Sequence, residues 1–195
     1  MKVLLEESKA EIVIKNSRFI SEVFPVETQA QAREKLHEVK QKYFDATHVV
    51  HAFSVGLKSE TFGMSDDGEP SGTAGRPVLD VLKGSGITNI LLTVTRYFGG
   101  TLLGTGGLVH AYSESAKEVL SICKAEPYVE KSSFSFSCGY DLYQTVKHLF
   151  EGFNISNLTE NFGTDISVKG EIFLSEKNTF LEQIKNISKG TVKCI

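Results

Sequence analysis

The sequence predicts an α+β protein of two domains, residues 1–128 and residues 131–195. Three observations carry this. Strand-type and helix-type periodicities alternate from the first residues onward. The stretch ITNILLTVTRYF (87–98) is nearly all apolar or β-branched, the pattern of a strand covered on both faces. After residue 125 the pattern restarts as a self-sufficient β-α-β-β-α-β series. A chain of 195 residues suits one large or two small domains.

In the first domain KVLLEES, EIVIKNS and RFISEVFPV read as three strands, the last by its alternation. Thr28 with Gln31 makes a capping box, and Ala32, Leu36, Val39 and Tyr43 behind it share a helix face. THVVHAFSVGL is a strand with Val49, His51, Phe53 and Val55 on one side and His48, Val50, Ala52 and Ser54 on the other. Pro77 suits the first turn of a helix, PVLDVLKG, ended by Gly84. The covered strand then runs into Gly99 and Gly100. A long helix starts near Gly104 to Gly107, its buried stripe being Leu108, Val109, Tyr112, Ala116, Val119, Leu120 and Cys123.

AEPYVEK reads as a linker, because Pro127 stops the preceding helix. SSFSFSC alternates with Phe134, Phe136 and Cys138 inward, and Asp141 is expected to cap a helix ended by Gly152. FNISNLTEN and DISVKGEIFL form a hairpin about residues 162–164. TFLEQIKNIS is a second helix ended by Gly190, and TVKCI a last strand. This order is the ferredoxin-like one.

No apolar run reaches the roughly 18 residues that cross a membrane, and the start turns acidic before a signal-type core forms. A cytoplasmic location is the expectation. Cys123, Cys138 and Cys194 lie far apart without a CxxC pair, which reads as a reduced compartment without a zinc knuckle. A net charge of −3 excludes a strongly basic nucleic-acid module in bulk and leaves room for a local basic groove.

Two loops carry the candidate chemistry. RYFGGTLLGTGG (96–107) leads from a buried strand to a helix N-terminus, where free N–H groups and the helix dipole favour an anion. Gly99, Gly100, Gly104, Thr105, Gly106 and Gly107 would let it approach, and a branched side chain at Gly106 is expected to block it. Arg96 would add a clamp while contributing little to the core. Thr105 stands where a Walker A lysine belongs, and Val109 where the dinucleotide fingerprint has its last glycine. Tight packing of strand on helix accounts for the same glycines equally well.

SDDGEPSGTAGRP (65–77) has three readings. Asp66, Asp67 and Glu69 could ligate a hard cation or serve as general acid and base. Alternatively the loop is purely structural, with Asp66 and Ser71 bonding local backbone and Arg76 pairing with Glu69. The two loops are expected to meet, with Arg76 or Arg96 pairing an acidic-loop carboxylate. His51 reads as a core residue. His48 and Ser71 are possible accessory groups. His48 and His51 face opposite ways and share no metal. No cofactor or resident metal is called for.

NSRFI, the strand bearing His48 and His51, SDDGEPSGTAGRPVLDVL and VTRYFGGTLLGTGGLVHAY together resemble the YigZ/IMPACT family across residues 1–125. The resemblance implies an N-terminal β-α domain similar to the ribosomal-protein and elongation factor G domain IV fold, shared with the GHMP kinases. It implies a second domain similar to the last domain of elongation factor G. It also implies a role in translation regulation and nucleic-acid binding. Eukaryotic members carry an extra N-terminal domain that acts in an amino-acid-starvation kinase pathway. This sequence opens on the family motifs, so that role is not expected of it. A peptidase role is not expected either, since HExxH is absent.

The functional expectation is a non-enzymatic translation-related regulator that docks on structured RNA, a ribosome or a translation-factor complex through the groove between the loops. Arg76, Arg96 and the N–H groups of residues 104–107 would hold phosphate. The alternative is an enzyme, of hydrolase or phosphoryl-transfer type, acting on a small phosphorylated or peptide substrate. Asp66, Asp67 or Glu69 would then be ligand or base.

Overall fold

A computed structural model describes residues 1–56 and 61–192. The chain divides into two compact units, Met1–Tyr128 and Val129–Ile195.

The first unit is built on a five-stranded antiparallel sheet of order β2-β3-β7-β4-β5. Its strands are β2 (Ser8–Ile14), β3 (Ser17–Pro25), β4 (His48–Val55), β5 (Thr61–Ser65) and β7 (Ile90–Tyr97). Central β7 is buried throughout except at its last residue. Helices α2 (Gly75–Ser85) and α3 (Gly104–Ile122) cover one face, packing Val78, Leu82, Ala111 and Tyr112 on Val50, Ala52, Leu92 and Val94. Helix α1 (Gln29–Lys42) covers the other, with Ala32 and Val39 on Val49, Phe53 and Leu91. Each fully buried Val, Leu or Phe side chain among them contributes about 1.5–3 kcal/mol, and the alanines less. Both halves of the Thr28–Gln31 capping box form.

Several expectations need correction. Strand β3 does not alternate: its interior is buried on both faces, because it lies inside the sheet between β2 and β7. Gly84 lies within α2, and the left-handed residue that ends the helix is Gly86, at φ 68°. Val109 is exposed and Ala111 and Ser115 take its place in the buried stripe. Ala125–Pro127 is strand β8, not linker. It pairs antiparallel with β1 (Lys2–Leu4), whose other edge pairs with β6 (Ile87–Thr88).

In the second unit the antiparallel order is β10-β11-β9, made by β9 (Lys131–Cys138), β10 (Ile155–Phe162) and β11 (Ile166–Phe173). Helices α4 (Tyr140–Phe150) and α5 (Leu174–Ile187) share one core with the sheet, in which Phe134, Val146, Ile166, Val168, Phe180 and Ile184 are buried. Gly139 is the N-cap of α4, and Asp141 sits inside its first turn, where its charge still suits the helix dipole. Most of the expected last strand, Cys194 included, lies outside the described residues.

Candidate functional site

Three side chains line up across one sheet face. Arg96 on β7 is paired in register with Phe19 on β3 and with His48 on β4. This is the α2/α3 face, so Tyr112 of α3 comes down on the row, edge-on to Phe19 at 5.3 Å. The acidic loop supplies Glu69 from the side. Glu69 Oε1 accepts from Arg96 Nη1 at 2.6 Å and from Tyr112 Oη at 2.7 Å. Arg96 and Glu69 are 5% and 7% exposed, so this is a buried, paired charge. Burial first, and then the bond to Glu69, push the Tyr112 phenol far up, which keeps it a donor. Arg96 Nη2 also reaches Ser17 Oγ at 3.4 Å.

His48 is fixed by its other nitrogen. Nδ1 lies 2.7 Å from the Asp67 carbonyl oxygen, which can only accept, so Nδ1 carries the proton. Nε2 stands 4.0 Å from Glu69 Oε2, beyond hydrogen-bond reach. His51, on the α1 face, is pushed down to about 4 by burial, so it is neutral at pH 7.

Above this row lies a groove of about 440 Å³. Its lining brings the two motif loops together: Gly68, Glu69 and Pro70 from one, Phe98, Leu102, Leu103, Gly104 and Thr105 from the other, with Thr47, His48, Arg96 and Leu108. Phe98 and Leu102 are exposed on its rim. Gly104, at φ 74°, needs the left-handed region that glycine tolerates, and it opens α3 against the groove.

The three loop carboxylates point to three different partners. Asp66 accepts from the N–H groups of Gly72, Ala74 and Gly75, and so serves the start of α2. Burial pushes its carboxyl up, but these N–H groups outweigh burial and hold it low. Asp67 accepts from Val49 N–H and pairs with Lys40, and these likewise outweigh burial. Glu69 serves the buried network. A shared metal cage or acid–base pair among the three is not what this geometry builds, and no group of three or more metal-ligating side chains occurs among the described residues.

Asp66 gives a pH prediction. Its folded pKa lies below the ordinary 3.8, so its contribution is fully present above that value and lost as the pH falls through the folded pKa. Asp66→Ala should cost about 0.5–2 kcal/mol at pH 7, by analogy with the loss of a helix cap, and less near pH 3. Urea unfolding of both proteins at the two pH values checks this; an equal loss at both would refute it.

Other site expectations change. Arg76 does not pair with Glu69. It is exposed, donates to Asp80 one turn along α2 at 2.8 Å, and faces a separate depression with Gly72, Val109 and Ser113. Arg96 is the arginine that makes the expected pair with an acidic-loop carboxylate, Glu69, and its guanidinium is buried there rather than free as a clamp. Gly99, Gly100, Gly106, Gly107 and Ser71 are not among the groove's lining residues. A Cβ on Gly106 would meet no protein atom within 4 Å, so a side chain there strains no packing. Sequence reasoning missed Tyr112 and Ser17. Both had a signal: a tyrosine in a buried helix stripe needs a partner for its hydroxyl, and Ser17 lies in the NSRFI motif.

Comparison with known proteins places these residues in context. The model of the Impact N-terminal domain matches residues 15–120. An IMPACT family member of Haemophilus influenzae is 39% identical over 155 residues, covering 78% of this chain and 75% of that one. The IMPACT family member YigZ of Escherichia coli is 29% identical over 184 residues, covering 93% and 90%. A crystal structure described as that of an hypothetical protein superposes with TM-score 0.71 and 28% identity, over 100% of this chain and 95% of the other. No helix among the described residues is long and apolar enough to cross a membrane.

Proposed function

The chain belongs to the IMPACT family, and from that premise we propose that it is a non-enzymatic, cytoplasmic regulator of translation that binds structured RNA through the groove of its first unit. The family resemblance read from the sequence supports the translation role. One observation carries the binding role: both motif loops close on one groove whose floor is held rigid by the Arg96–Glu69–Tyr112 network. The parts suit an unpaired nucleotide of a folded RNA. The N–H groups opening α3 offer a phosphate site, and Phe98 and Leu102 offer an apolar face for a base. Ribosomes and translation factors with bound RNA present the same chemistry.

We read the first unit as the IMPACT-type domain with the elongation factor G domain IV type of fold. We read the second as ferredoxin-like, because its middle strand β11 runs antiparallel to β9 and β10 with two helices on the shared core.

The test is fluorescence anisotropy with an RNA hairpin that has an unpaired 3′ tail, across a salt series. A net charge of −3 makes the expected slope shallow, about one unit per phosphate held. Phe98→Ala should weaken binding by about 1–3 kcal/mol, the usual value of a stacked base, while leaving the slope unchanged. Absence of salt-sensitive binding at low ionic strength would overturn the reading.

A further inference from the structure

The floor of the groove holds two hydrogen-bond acceptors that the fold leaves unused. Glu69 is buried and its Oε1 is saturated by Arg96 and Tyr112. Among the described residues no hydrogen bond reaches Oε2. His48 donates from Nδ1 to the Asp67 carbonyl, so it is Nε2 that carries the lone pair when the ring is neutral. These two atoms stand 4.0 Å apart, and both residues line the groove. Oε2 is not among the unpartnered atoms shut off from water, so it opens on the groove, where a donor on a ligand can reach both it and the neighbouring nitrogen. The arrangement asks for a ligand with two donors on adjacent atoms.

Resting on the RNA reading above, we infer that the groove recognises a ribose cis-diol, the 2′- and 3′-hydroxyls of an RNA 3′ end. One hydroxyl donates to Glu69 Oε2 and its neighbour to His48 Nε2. A nucleotide inside a chain has a single free hydroxyl and satisfies one acceptor. A terminal nucleotide satisfies both. The volume agrees, since about 440 Å³ lies in the range of pockets that enclose one small ligand. The base of that nucleotide lies against Phe98 and Leu102, and the phosphate linking it to the chain faces the start of α3. DNA ends lack the 2′-hydroxyl and are disfavoured by the same two atoms.

The experiment uses the full chain and the tailed hairpin, labelled at its 5′ end. Three versions differ in the last ribose: intact, 3′-deoxy, or opened by periodate. The intact end should bind at least about tenfold more tightly than either altered end, the scale set by a hydrogen bond to a charged group. A 2′-deoxy substitution elsewhere in the tail should change nothing. His48→Gln should remove most of the preference, with thermal unfolding as the folding control. If that variant does not fold, the three RNA ends on the wild-type protein still decide. RNA that binds with no regard for its terminal hydroxyls overturns this inference and leaves the RNA reading standing. A preference kept in a folded His48→Gln protein overturns it too. No binding of any RNA overturns the reading and the inference together. A ribonucleoside 5′-monophosphate, added alone, separates the two sources of a diol. If it binds with diol dependence while RNA does not, the RNA-end inference still falls with the RNA reading, and the diol is that of a free nucleotide.

Discussion

Arg96→Ala should destabilise the first unit by about 3–5 kcal/mol, the usual cost of removing one partner from a buried ion pair. The substitution leaves Glu69 buried with its charge uncompensated; Tyr112 alone would remain bonded to it. It also removes guanidinium packing from the rings of Phe19 and Phe98, at 5.6 and 5.5 Å. A typical domain has only about 5–15 kcal/mol in all, so this is a large share. Urea unfolding measures it directly. A double-mutant cycle with Glu69→Leu and Arg96→Met separates charge from packing: the double variant should recover most of the loss, because it leaves neither charge stranded. A loss under about 1 kcal/mol for Arg96→Ala would show that the pair behaves as a surface bridge. The result bears on function too. Weaker RNA binding by an Arg96 variant would then report a damaged fold, and could not be read as a lost phosphate contact.

The same residue shows what the sequence could and could not reveal. Its position at the end of an apolar strand was legible. Its burial was not, because the roof over it comes from Glu69, 27 residues before it, and from Tyr112, which is itself 43 residues from Glu69. Local features read well. The Thr28–Gln31 box, the turn role of Asp66 and the start of α3 each depend on neighbours within a few residues. Arg76 was readable but misassigned, since Asp80 stands four residues on, the spacing at which helix side chains meet. Strand β8 was hidden for the opposite reason. Its three residues are a strand because β1, at the far end of the chain, lies beside them.

Gly99→Ala should be as damaging as any single substitution in the first unit, costing about 3 kcal/mol or more, the upper range for overpacking. A Cβ at Gly99 would lie 2.0 Å from both the carbonyl carbon and oxygen of Asn16 and 2.4 Å from Ser17 N. These are backbone atoms, so no rotamer change relieves the clash. Asn16 belongs to the tight turn between β2 and β3, where it and Lys15 already occupy left-handed backbone at φ 65° and 46°. The turn has little freedom to retreat. Moving the loop instead breaks the bond from Gly99 N–H to Ser17 Oγ, at 3.2 Å, and Ser17 in turn contacts Arg96. Gly106→Ala is the matched control. Its Cβ meets open space within α3, and alanine there should be neutral or stabilising by up to about 1 kcal/mol. Urea midpoints for the two variants should therefore move in opposite directions or leave Gly106→Ala unmoved. Equal midpoints for Gly99→Ala and wild type would mean that the 96–107 loop does not rest on the β2–β3 turn. The groove would then lose the support that places Phe98 and Leu102 on its rim.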